Sequence, residues 1–188
     1  MSPGFNSMLW LITHNPIKIL KAVLSSIFYL LLYVVLPFLL LSVAQGDPQF
    51  KSMLDAAESM VGIDVAGIAN TVIILGIVLA LLVLVGGLTE KWSATNLACG
   101  VASILLQLAI LLTVLGAGDI GSFGLISRTV QATGPYQPSF TVDMRFVALA
   151  MTAIAGANIL VALATYLDAR RERARRVSPG DLLKRIVG

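Results

Sequence analysis

Apolar residues in this chain fall into four long runs instead of the alternating or three-to-four-residue spacing of half-buried strands and helices. The runs cover roughly 17–43, 65–88, 97–116 and 146–167. The first carries two lysines, Lys18 and Lys21, only at its start, and the second has no charge between Asp64 and Glu90. About 20 apolar residues cross a bilayer as a helix, so the pattern predicts an all-α integral membrane protein built as a four-helix bundle. The reading gives one four-span domain over 1–168 and a basic helical tail over 169–188. The first run outlasts the core of about 7–15 residues of a cleavable signal peptide, and it is read as a permanent, tilted span. Pro37 lies inside it and lacks the amide proton of a regular helix, which predicts a kink from Tyr33 to Pro37. That kink is either a hinge or the packing of a bent helix.

The segments between the runs have their own patterns. Residues 48–60 place Phe50, Met53, Leu54 and Ala57 at helical spacing, with Asp47 as N-cap and Pro48 in the first turn. The expected element is a short amphipathic helix on the outer side, covering the tops of the spans. Residues 117–144 are rich in glycine, serine, threonine and proline, and predict a folded outer cap with a short interfacial or re-entrant piece; the functional alternative is a mouth-lining or partner-binding loop. After Tyr166 the fourth helix is expected to continue through Arg170, Arg171, Arg173, Arg175 and Arg176, to break at Ser178-Pro179-Gly180, and to resume as an amphipathic tail. Phe5, Met8, Leu9, Trp10 and Ile12 predict an interfacial or pore-folded N-terminal helix, with His14 at the headgroups.

Composition sharpens the class. Of the 188 residues 57% are apolar and 12% charged, with a mean hydropathy of +0.91, too few charges to cover a soluble fold of this size. Ten of the basic residues fall on one side of a four-span topology and three (Lys51, Arg128 and Arg145) on the other. Basic loop residues stay on the cytoplasmic side, so both termini are expected there, in the plasma membrane. The five clustered arginines are then read as contacts to anionic lipid headgroups at the cytoplasmic face, and not to nucleic acid. One histidine and one cysteine exclude a bis-histidine haem, a multi-thiolate zinc site and an internal disulfide, so no metal or cofactor is expected. Cys99 reads as a small packing residue.

The four runs contain no Asp, Glu, Arg or His, the usual marks of proton relays and ion-coupled transport. Neutral polar groups remain: Ser25, Tyr29 and Tyr33 along one face of the first span, Ser103 and Gln107 four apart on the third, and Thr152 and Asn158 on the fourth. Ala148, Thr152 and Gly156 form a small-residue stripe, and Gly100 shares a face with Ser103, so close packing between the third and fourth spans is expected. The polar groups are then packing glue, or they line a wet path or an interface between protomers. The first functional reading is a non-enzymatic homo-oligomeric channel or pore with a neutral polar lining. The second is an accessory or scaffold subunit of a larger membrane complex.

Overall fold

The computed structural model describes residues 16–61, 63–129 and 139–176, and is mostly helical. Helix α1 spans Pro16–Gly46, α2 Pro48–Val61, α3 Val65–Leu88, α4 Ala94–Leu115 and α5 Arg145–Arg176. Four of these, α1, α3, α4 and α5, are long and apolar enough to cross a membrane, which makes this a multi-pass membrane protein. The N-terminal segment with Trp10 and His14, residues 130–138 and the tail beyond 176 lie outside the described residues, as do the side chains of Arg175 and Arg176.

Short polar side chains start the helices. The Asp64 carboxylate accepts from the Gly67 amide at 2.6 Å to open α3, and Ser93 Oγ accepts from the Thr95 amide at 3.2 Å to open α4, three residues earlier than the apolar run begins. Asp143 Oδ1 takes the Arg145 amide at 3.0 Å where α5 begins. Asp47 is the single residue between α1 and α2, and its carboxylate accepts from the Gln49 amide at 2.9 Å. At the far end of α4 the Gly118 amide reaches the Thr113 carbonyl at 2.8 Å, with Gly118 at φ +95°, a left-handed conformation that glycine adopts without strain.

Helix α1 is not regular. Residues Leu31–Val35 form a π turn in which the Leu36 amide bonds to the Leu31 carbonyl, five residues back. Pro37 cannot supply the amide proton that a regular helix would give the Tyr33 carbonyl. The predicted irregularity is therefore a change of helical register just before the proline.

The spans pack in serial order, α1 on α3, α3 on α4 and α4 on α5. The core is the α3–α4 pair: Val72, Leu79 and Ile110 are buried, Leu79 completely, with Tyr29, Tyr33, Ile68, Leu75, Val83 and Leu106 packed round them. Helices α1 and α5 flank this pair and show most of their apolar side chains outward, Phe146 at 83% exposure among them. Lipid tails are as apolar as leucine, so close packing has to hold the spans together. That packing is tightest between α1 and α3. A Cβ on Gly76 would stand 2.6 Å from Tyr33 Cβ, and one on Gly87 would stand 2.6 Å from Ala22 Cβ. Between them Ser26 Oγ donates to the Ala80 carbonyl at 2.9 Å.

Two expectations are corrected and a third gains detail. The small-residue stripe of the fourth span is not a close seam: Ala148 is buried, but a Cβ at Gly156 would have nothing within 4 Å, and the same holds for Gly100. The face of α5 on α4 runs instead through Ala148 and Ala155. Helix α2 packs on the end of α1 and leaves Phe50 and Met53 exposed, 69% for Met53, because one intervening residue is too short a link to carry it across the other spans. The α4–α5 connection, expected as a folded cap, holds a 3₁₀ turn (Ile120–Ser122) and a pair of antiparallel strands. Its strands β1 (Leu125–Thr129) and β2 (Ser139–Asp143) pair with Leu125 opposite Asp143 and Thr129 opposite Ser139. Gly124, at φ +85°, lies against Met144, whose amide bonds to the Gly124 carbonyl at 2.8 Å and ties the hairpin to the start of α5.

Candidate functional site

Most hydroxyls in the spans satisfy their hydrogen bonds locally. Ser103 Oγ donates to the Cys99 carbonyl at 2.7 Å, Thr113 to Ala109 at 2.8 Å, Thr152 to Ala148 at 2.8 Å and Thr165 to Val161 at 2.8 Å, each one turn back on its own helix. Neither Ser103 nor Thr152 lines the groove along α4 and α5. Ser25 is exposed on α1 away from the seam, and its neighbour Ser26 takes the interhelical role.

Amides and phenols behave differently, and three of the expected residues meet. Tyr33 from the π turn, Gln107 from α4 and Asn158 from α5 line one groove of about 370 Å³, walled by apolar side chains of α4 and by Met151, Ile154 and Ala155 of α5. Each lies near the middle of its span. Helix α5 packs chiefly on α4, and the groove lies along that contact where Tyr33 of α1 reaches it. Gln107 Nε2 donates to Tyr29 Oη at 3.2 Å, and the Tyr29 ring stacks on Tyr33 with centroids 6.0 Å apart and planes 9° from parallel. Tyr29 thus links Gln107 to Tyr33, and Asn158 faces the same groove from α5. Among the described residues the Asn158 amide and the Tyr33 hydroxyl have no hydrogen-bond partner, and the second polar atom of the Gln107 amide has none either. All three residues line the groove, and among the described residues no buried side-chain polar atom is left unpaired.

The π turn aims this strip. It places Tyr33 where its backbone carbonyl lies against Gly76, 3.0 Å from the position a Cβ would take, so its ring shares both the α3 seam and the α4 groove. Pro37 therefore acts by setting the register upstream of it. The sequence pattern had no signal for Gly76, Ala80 and Gly87 as the partner surface, because glycines in an apolar run are equally consistent with lipid exposure.

A second polar region lies at the end where the α3–α4 turn meets both chain-terminal portions of the described structure. Lys18 Nζ donates to the Thr89 carbonyl at 2.8 Å and approaches Glu90 at 3.7 Å, while Asn96 Nδ2 donates to the Gly86 carbonyl at 2.6 Å. Arg173 stacks over Trp92, and Arg170 and Arg171 are exposed beside it. Among the described residues no group of three His, Cys, Asp or Glu side chains is placed to hold a metal ion. No known protein family, curated protein or solved structure matches this chain.

Proposed function

We propose that this chain is a non-enzymatic subunit of the plasma membrane, with both termini cytoplasmic, that assembles with copies of itself into a channel or pore with a neutral polar lining. The observation that supports this reading is the Asn158 amide, unpartnered in the middle of an apolar span and facing the same groove as Gln107 and Tyr33. A polar amide without a partner in an apolar medium costs roughly 2–7 kcal/mol, so such a group calls for water or another polar group beside it. A water-filled path supplies the first, a like subunit the second, and a ring of subunits around a wet axis supplies both. The absence of Asp, Glu, Arg and His from the four apolar runs suits a path for neutral solutes or weakly selected ions better than a coupled transporter.

The test is the mass of the nanodisc-embedded particle against the 19.9 kDa of one chain, joined to solute leakage from vesicles carrying the purified protein. A defined homo-oligomer, with leakage that Gln107→Leu or Asn158→Leu alters, is the expected result. A dispersed monomer in tight vesicles would remove the pore reading. The accessory-subunit reading is favoured by one feature, the largely apolar walls of the same groove, which suit a helix of another chain carrying one polar side chain. Its signature is a particle that contains a second polypeptide.

A further inference from the structure

Trp92 stands between two grooves at the basic end of the bundle. Arg173 lies over its ring, with Cζ 3.3 Å from the ring centroid. On one side, Lys18, Glu90, Lys91 and Glu172 surround the stacked pair with charges of both signs, and Glu90 is held by Lys18. On the other side is a groove of about 420 Å³ lined by Trp92, Tyr166, Arg170, Arg173 and Ala174, with two guanidinium groups, one phenol hydroxyl and no carboxylate.

Stacking uses the face of the Arg173 guanidinium and leaves its in-plane N–H donors available at the edge. Those donors, with the fork of Arg170 and the Tyr166 hydroxyl, match the oxygens of a phosphate group. An indole and a phenol at this level are also the side chains that settle where hydrocarbon gives way to headgroups. Tyr166, Arg170 and Arg173 follow one another at helical spacing, and Leu163 and Leu167, both exposed, continue that surface toward the middle of the span. The groove therefore offers cations at its mouth and an apolar track leading away from it.

We propose that this groove binds the headgroup phosphate of an anionic phospholipid, with Arg170 and Arg173 on the phosphate oxygens, Tyr166 donating to one of them, and an acyl chain lying along Leu163 and Leu167. The proposal rests on the membrane reading of the four spans, but not on the pore reading. A free phosphate presents the same oxygens; the apolar track selects the lipid.

The chain has two tryptophans, so in the full-length Trp10→Phe protein Trp92 is the sole indole reporter. Nanodiscs of phosphatidylcholine are titrated with phosphatidylglycerol, with bromine-labelled acyl chains on one lipid at a time. The expected result is saturable quenching of Trp92 by the brominated anionic lipid at fractions where brominated phosphatidylcholine quenches weakly. Arg170→Gln, which removes a charge-assisted contact, raises the half-saturating fraction about tenfold. Arg171→Gln and Lys91→Gln, which alter charge outside the groove, leave it unchanged. Equal losses from all three variants mean diffuse surface attraction and overturn the site. Relief of quenching by millimolar inorganic phosphate overturns the lipid assignment in favour of a soluble anion. Absence of quenching by either lipid, or failure to enter nanodiscs, overturns the membrane reading itself.

Discussion

The seam between α1 and α3 makes a prediction that opposes helix propensity. Alanine is favoured over glycine inside a helix by about 1 kcal/mol, so Gly→Ala in a span with room for a methyl group is stabilising or neutral. At Gly76 the new Cβ stands 2.6 Å from Tyr33 Cβ and 3.0 Å from the Tyr33 carbonyl oxygen, and at Gly87 it stands 2.6 Å from Ala22 Cβ and 3.2 Å from Ala22 Cα. None of these neighbours is the far end of a flexible side chain, so rotamer changes cannot relieve the clash. Restoring ordinary contact requires the two helices to separate by on the order of 1 Å, which also stretches the Ser26 bond to the Ala80 carbonyl. Overpacking of this kind costs about 1–3 kcal/mol, so after the propensity gain Gly76→Ala and Gly87→Ala each destabilise by up to about 2 kcal/mol and fall about 1–3 kcal/mol below the glycines with room for a methyl group. Gly100→Ala and Gly156→Ala meet nothing within 4 Å and raise stability by up to about 1 kcal/mol. Gly86→Ala, 3.2 Å from Cys99 Cβ, falls between the two pairs. Reversible unfolding in mixed micelles, followed by circular dichroism for all five variants, measures the order. If Gly76→Ala and Gly87→Ala match Gly100→Ala, the close seam is refuted.

Two further substitutions test single contacts. Asp64→Ala removes the carboxylate that caps the Gly67 amide, costs about 1 kcal/mol, and speeds amide exchange in the first turn of α3 while the middle of that helix stays protected. Tyr29→Phe takes the acceptor from Gln107 Nε2; in bilayers such bonds average about 0.6 kcal/mol, so the loss in unfolding free energy is small, and combining it with Gln107→Leu adds no further cost if this contact is what both variants remove.

The four spans were legible because hydrophobicity over a bilayer's thickness is a property of composition, which the sequence states directly. One cap was legible as well: Asp47 before Pro48 marks the start of the short helix, and its carboxylate accepts from the Gln49 amide. Faces were harder. In a soluble helix the polar side marks the solvent and the apolar side the core, but in a helix surrounded by lipid both sides are apolar, and the partner-facing side is marked only by small residues. Gly156 and Gly76 look alike in sequence, and only Gly76 has a helix against it. The choice between Ser25 and Ser26 turns on one residue, or about 100° of rotation, and the apolar pattern around them does not fix the phase of α1. The hairpin depends on pairing across a glycine- and proline-rich loop whose strands are five residues each, too short and mixed in polarity to show a period of two.

Hydroxyls and amides inside the spans differ in what they demand, and this gives the polar groove a test that hydrophobicity alone cannot mimic. A serine or threonine can place its proton on the carbonyl one turn back, as Ser103, Thr113, Thr152 and Thr165 do, and then asks nothing of its surroundings. An asparagine carries two donor protons and an acceptor and meets only part of this demand on its own helix. Asn158→Thr therefore keeps a polar atom at the groove but lets it bond to the Ile154 carbonyl, whereas Asn158→Gln keeps the amide and lengthens its reach. If the groove holds subunits together through amide hydrogen bonds, Asn158→Thr lowers self-association as much as Asn158→Leu does, and Asn158→Gln retains most of it. Energy transfer between labelled chains in vesicles of fixed protein-to-lipid ratio reads the difference, which at about 1–2 kcal/mol per amide contact is roughly a fivefold to thirtyfold change in association constant. Equal association of the threonine variant and the unsubstituted chain would mean that polarity at position 158 serves only to wet the groove, and would place the subunit contact on another face.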